Sequence, residues 1–154
     1  MTRLAGTALI TGGARRIGWA IVEDLAANGF AVAIHSNSSA DEASALAADI
    51  KKAGGQAAVV VADLTDMSAV AKVVWQVERA LGPVSLLVNN ASLFEDDSVL
   101  DFDWPEWDRH FDIHLKAPVL LAQKFAEALP EATDGLIVNV IDQRVWRLSP
   151  RYFS

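Results

Sequence analysis

Five short apolar or β-branched runs, at residues 7–10, 30–35, 57–62, 85–88 and 136–141, alternate with amphipathic stretches of helical spacing at 17–28, 41–53, 67–81 and 104–129. This alternation restricts the fold more than any other feature of the chain. Apolar runs of strand length read as buried strands of a parallel sheet covered on both faces, because each right-handed crossover returns its helix to the sheet. Asn28-Gly29, Gly54-Gly55 and Gly82-Pro83 fall where helices hand over to strands, and these residue types are suited to ending a helix. The expectation is one α/β domain over residues 1–154, with no repeat, linker or low-complexity tract to divide it. Residues 142–154 read as a loop, which leaves the fifth strand without the helix that normally covers such an edge.

Composition excludes several functions. Thirteen Lys and Arg against twenty Asp and Glu give a formal charge of -7, and no basic run is present to track a phosphate backbone, so nucleic acid is not an expected partner. There is no cysteine, hence neither a disulfide framework nor a thiolate metal site, which suits a cytoplasmic protein. Residues 1–10 contain no secretory core. The longest apolar runs, 57–62 and 118–122, fall far short of the roughly 20 residues that span a bilayer. A soluble protein with no membrane partner is expected.

The first strand runs straight into Thr11-Gly12-Gly13-Ala14-Arg15-Arg16-Ile17-Gly18, and a helix begins near the last glycine. Glycines there let the backbone turn tightly and approach a pyrophosphate, while the free N–H groups of the helix start attract its charge. The plainer reading is an ordinary steric turn. About 20 positions beyond such a turn, a carboxylate closing the second strand would bind the ribose 2′-OH of NAD. Here the place is neutral: His35-Ser36-Asn37-Ser38-Ser39 offers hydroxyl and amide donors, and Arg15 and Arg16 add positive charge on the adjacent turn. This arrangement fits the 2′-phosphate of NADPH. Alternatively, Asn37, Ser38 and Ser39 only start the next helix and the arginines are solvated.

Thr11-Gly12, three intervening residues and Arg16-Ile17-Gly18, together with Asn89-Asn90-Ala91-Ser92 after the fourth strand, resemble the two hallmarks of the short-chain dehydrogenase/reductase family. The resemblance covers the whole chain but only the first part of a typical member. It implies a Rossmann-type doubly wound sheet of strand order 3-2-1-4-5. It also implies cofactor contacts from Gly12, Arg15, Arg16, Ile17, Gly18, His35, Asn37, Ser38, Ser39, Asp63, Leu64, Asn90, Ala91 and Ser92. Asp63-Leu64 would meet the adenine, although Asp63 also reads as a helix N-cap. Asn90 would tie the fourth strand to its neighbours while bordering the cofactor. Arg16 departs from the family's usual glycine and is similar to the pteridine reductase branch, where arginine lies near phosphates and substrate.

On the substrate side, Ser92-Leu93-Phe94 also resembles that branch, which implies that Phe94 stacks on a planar pterin beside Arg16, Ser92 and Tyr152. A ring followed by Glu95, Asp96 and Asp97 is poorly placed for a core. The other reading is a loop aromatic packed on its own helix. Asp142 stands where most relatives have serine, and the branch carries aspartate there, implying a proton-sharing catalytic role; otherwise it is a turn former. His114 takes the family's asparagine position and could hold the same water or backbone contact. His110 and His114 are one helical turn apart, but Phe111 follows where a zincin helix needs glutamate, so no metal is expected. Trp104 and Trp107 are read as anchors for the start of their helix.

By the family's spacing, the proton-donating tyrosine falls just past Ser154 and its lysine one helical turn further, so Tyr152 is not the acid. Without a general acid, chemistry typically loses roughly 10²- to 10⁴-fold, and negligible turnover is expected of these 154 residues alone. Three functional readings stay open. The first is an NADPH-dependent reductase acting on a C=N bond of a pterin or dihydrofolate-like small molecule, and the second a carbonyl reductase with a different substrate. The third is a non-catalytic NADP-binding module or fragment. The resemblance further implies a homo-oligomer in the full-length form, paired through the 104–129 helix.

Overall fold

A computed structural model of the chain describes residues 6–147, so the expectation for Tyr152 lies outside the described residues. The element order is β1 (Gly6–Ile10), α1 (Arg16–Ala27), β2 (Phe30–Ser36), α2 (Ala40–Lys52), β3 (Ala57–Val61), α3 (Met67–Leu81), β4 (Val84–Asn89), α4 (Trp104–Phe111), a π-helical turn (Asp112–Lys116), α5 (Ala117–Ala128), β5 (Leu136–Asn139) and a 3-10 turn (Gln143–Val145). The strands form one parallel sheet in the order β3-β2-β1-β4-β5, as the family resemblance implies.

Two-residue periodicity divides the core between the faces of the sheet. Leu9, Ala33 and Leu87 pack with Val70, Val73 and Val77 of α3 and with Leu121 and Phe125 of α5. On the opposite face, Ala8, Ile10, Val32, Ile34 and Val88 pack with Val22 of α1 and with Leu46 and Ile50 of α2. Leu9, Ile10, Val32 and Ile34 are fully buried, which is why their runs show no polar alternation. Strand order reverses beside β1, since the chain leaves it toward β2 and later returns to its other side at β4. In a sheet of this kind ligands bind at the carboxyl ends of the strands, in the crevice at that reversal.

One sequence expectation is refined and one corrected. The stretch 104–129 is helical through Ala128, as expected, but a π turn over Asp112–Lys116 interrupts the α-helical pattern between α4 and α5. Pro118 accounts for the interruption, because it lacks an N–H to donate to the carbonyl four residues back and its ring crowds that carbonyl. Residues following Asp142 are not a plain loop, since Gln143–Val145 close a 3-10 turn. At the sheet's edge, Leu136 and Val138 of β5 remain exposed, in line with the expected uncovered strand. No described helix is long and apolar enough to cross a membrane.

Candidate functional site

The turn after β1 is held by side chains from three strands. Thr11, almost fully buried, accepts hydrogen bonds at Oγ1 from the backbone N–H groups of Asn90 (2.9 Å) and Ala91 (3.0 Å). Asn90 Nδ2 donates in return to the carbonyls of Thr11 (3.0 Å) and Gly12 (3.2 Å), the tie between strands expected of it. Gly12 has φ +62, and a Cβ on it would lie 2.9 Å from Ala91 Cα. A Cβ on Gly18 would lie 2.1 Å from the Gly12 carbonyl oxygen and 2.7 Å from Asn90 Nδ2. Both positions therefore require glycine, for left-handed backbone in one case and close helix-to-turn packing in the other. Arg16 shares the left-handed region at φ 53, a conformation that disfavours any side chain and accounts for the glycine usual at this place.

His35 contributes differently from a surface donor. Its ring is 1% exposed; Nδ1 accepts the Gly12 N–H at 3.2 Å, and Nε2 lies 3.1 Å from the Ala62 carbonyl oxygen. A carbonyl only accepts, so Nε2 carries the proton and the imidazole is neutral. Burial pushes its pKa below the ordinary value of 6.5, opposed by the Ala62 hydrogen bond and the Asp63 charge. The ring thus bolts the glycine turn to the ends of β2 and β3. The Gly13 N–H adds a bond to the His35 carbonyl at 2.9 Å.

Around this turn lies a cleft of about 690 Å³ lined by Gly12, Arg15, Arg16, Ile17, Gly18, His35, Asn37, Ser38, Ser39, Asp63, Leu64, Asn90, Ala91 and Ser92, among others. Every residue assigned to the cofactor from sequence is brought to this one opening. Arg109 of α4, which sequence reading missed, also lines it, with Nη1 donating to Glu106 at 2.8 Å. The lining thus holds three guanidinium groups, of Arg15, Arg16 and Arg109, and one carboxylate, Asp63, although the chain as a whole is acidic. Ser39 is the N-cap residue of α2, but its side chain makes no capping hydrogen bond. Asp63 accepts from the backbone N–H and hydroxyl of Thr65, both at 2.9 Å. The N-cap of α3 is instead Asp66, which accepts from the N–H groups of Ser68 and Ala69.

A second cavity, of about 840 Å³, adjoins the first through Leu64, Ala91, Ser92, Leu93 and Ile113, which line both. It gathers Phe94, His110, His114, Asp142 and Arg144. His114 sits in the π turn, a helical defect frequent at functional sites. Its Nε2 accepts the Leu93 N–H at 3.1 Å and lies 3.2 Å from Ser92 Oγ, so the backbone contact considered for it exists. Burial, and then the neighbouring His110 ring 5.2 Å away, hold its pKa below the ordinary value. Asp142 accepts the Arg144 N–H at 2.8 Å, which makes it a turn former that also faces the cavity. Phe94 is 53% exposed, and the Arg144 guanidinium lies 4.6 Å from its ring centroid, a cation–π contact invisible to sequence periodicity.

Comparison with known proteins agrees with this geometry. Residues 6–143 match the profile of the family described as short chain dehydrogenase. The crystal structure of FolM alternative dihydrofolate reductase 1 from Brucella canis, complexed with NADP, is 56% identical, with a TM-score of 0.93 over 97% of this chain and 59% of that one. The same protein from Brucella suis, in complex with NADP, is 57% identical, with a TM-score of 0.91 over 96% of this chain and 61% of that one. Short-chain dehydrogenase/reductase FrzI of Cladobotryum is 35% identical over 133 residues. The match takes in 86% of this chain and 51% of that protein, so the chain spans about half the length of this curated relative.

Proposed function

Since this chain belongs to the short-chain dehydrogenase/reductase family, we propose that it supplies the NADPH site and part of the substrate site of an oxidoreductase that reduces a C=N bond of a pterin or dihydrofolate-like ring. One observation carries the reading: a guanidinium-rich cleft and a cavity containing an aromatic ring, an imidazole and a carboxylate share the Ala91–Leu93 wall. That wall is where a dinucleotide's reactive end would meet a planar substrate. Gly12 and Gly18 let the turn close against Ala91, Asn90 and the Gly12 carbonyl, where any Cβ would collide, and this tight turn at the start of α1 lines the cleft, so the residues fit the pyrophosphate of such a cofactor. Gly12, Ile17 and Gly18 would hold the pyrophosphate, Arg15, Asn37, Ser38 and Ser39 the 2′-phosphate, and Asp63 and Leu64 the adenine side. When bound, NADPH supplies the hydride.

The chain's own residues orient and protonate. Phe94 and Arg144 form a flat, polarised platform on which a ring can stack. His114 fixes the Ser92–Leu93 backbone and with it the shared wall. Asp142 can exchange a proton with a ring nitrogen of the substrate. The similarity to FolM proteins supports the pterin class. By family spacing the phenolic acid and its lysine lie beyond residue 154, and residues 1–154 alone are proposed to turn over negligibly. Soluble, cytoplasmic residence and homo-oligomeric pairing through α4 and α5 belong to the same proposal.

A second reading, a non-catalytic NADP-binding module, draws on the turn-forming hydrogen bond of Asp142. Isothermal calorimetry tests the shared premise: NADPH should bind more tightly than NADH, and equal dissociation constants would refute it. Titration of a dihydropterin into the cofactor-loaded protein separates the two readings, because the reductase reading requires binding and a pure module has no reason to retain the pterin.

A further inference from the structure

Arg15 lines the cofactor cleft, yet its guanidinium is directed to an acid on the next helix. Its Nε donates to Glu42 Oε1 at 3.0 Å, and Nη2 contacts the same oxygen. Glu42 lies in the first turn of α2, directly beyond Asn37, Ser38 and Ser39 of the cleft lining, so the pair ties the glycine turn to the helix start beside that segment. Helix-dipole stabilisation explains an acid in a first turn; it does not explain why this acid engages the arginine of the glycine turn, which lies 27 residues earlier.

On the reading that this cleft takes NADPH, we propose that Glu42 sets cofactor specificity by standing in for the ribose 2′-phosphate on Arg15, so that NADPH must displace it and NADH need not. Carboxylate and phosphate oxygens compete for the same guanidinium donors. The side chains are 62% and 40% exposed, and an ion pair so open to water is weak and readily exchanged. A doubly charged phosphate therefore wins the arginine, but against a competitor tethered beside it. While the pair is intact, the hydrogen bond from Arg15 holds the Glu42 carboxyl below the usual range. NADH presents only a hydroxyl at that place, leaves the pair intact and is indifferent to Glu42.

The experiment is fluorescence titration of NADPH and NADH against the intact chain and its E42Q, R15A and double variants, at low salt, with a thermal melt to confirm folding. E42Q should tighten NADPH binding roughly 2- to 5-fold and leave NADH binding unchanged. The gain should disappear in the R15A background, and should shrink at high salt as screening weakens the pair. An unchanged ratio of NADPH to NADH affinity, a parallel change in both, or an equal gain without Arg15 overturns the proposal. If the unmodified chain still prefers NADPH in that case, only the role of Glu42 falls. A chain that shows no preference for NADPH overturns the cofactor reading and this inference together.

Discussion

Replacing His35 with phenylalanine keeps a ring of similar size in a fully buried site while removing both nitrogens. The Gly12 N–H and the Ala62 carbonyl, which the imidazole satisfies at 3.2 and 3.1 Å, lose their partners. A buried polar group left unsatisfied costs about 1–3 kcal/mol. The Gly12 contact is only partly buried, so its end of that range is the lower one, and a total of about 2–4 kcal/mol follows. Urea unfolding at pH 8 should report this loss, and NADPH affinity should fall with it because the turn loses its anchor. Acid provides the second arm. The folded-state pKa of His35 lies below the ordinary 6.5, chiefly through burial, so the unfolded chain takes up the proton first as pH falls. The stabilisation is complete above about 6.5 and is lost as pH drops from there through the folded value, at up to about 1.4 kcal/mol per pH unit. His114, also lowered, keeps its own contribution in the variant, so the diagnostic quantity is the difference between the two pH curves. Curves of equal slope, or a loss below about 0.5 kcal/mol at pH 8, would refute the view that the imidazole acts as a neutral bolt.

Arg16→Gly should relieve a left-handed cost of about 1–2 kcal/mol against an entropic cost of about 0.5–1 kcal/mol for glycine. The thermal midpoint should therefore hold or rise slightly, while the NADPH dissociation constant increases about tenfold through the lost charge. Gly18→Ala should do the reverse to stability: its Cβ would sit 2.1 Å from the Gly12 carbonyl oxygen, and overpacking of this kind costs about 1–3 kcal/mol or more, measurable by urea unfolding. The hydrogen bond from the Leu93 N–H to His114 Nε2 breaks when that nitrogen is protonated. Because the His114 pKa is held below the ordinary 6.5, hydrogen exchange at Leu93, corrected for its intrinsic pH dependence, should keep its protection through pH 6.5 and lose it only at lower pH, and His114→Ala should abolish the protection at every pH.

What could be read from the chain alone was local or periodic. The alternation of apolar runs identified a parallel α/β domain, since burial on both faces removes polar residues from a strand and leaves a recognisable run. The glycine turn was legible because only glycine tolerates the backbone at Gly12 and the contact at Gly18, and the absence of an acid at residues 36–39 was visible by counting. The π turn had a local signal too, Pro118, which the amphipathic pattern of 104–129 obscured. Tertiary structure decided which groups these segments meet. His35 came to hold the turn through partners 23 and 27 residues away, although as a residue type it reads equally well as a phosphate donor. Arg15 found Glu42, Arg144 covered Phe94 and Arg109 entered the cleft around the glycine turn. None of these pairings has a period or a motif, because they arise where loops and helix ends converge at the sheet's carboxyl edge, and distance in space there is unrelated to distance along the chain.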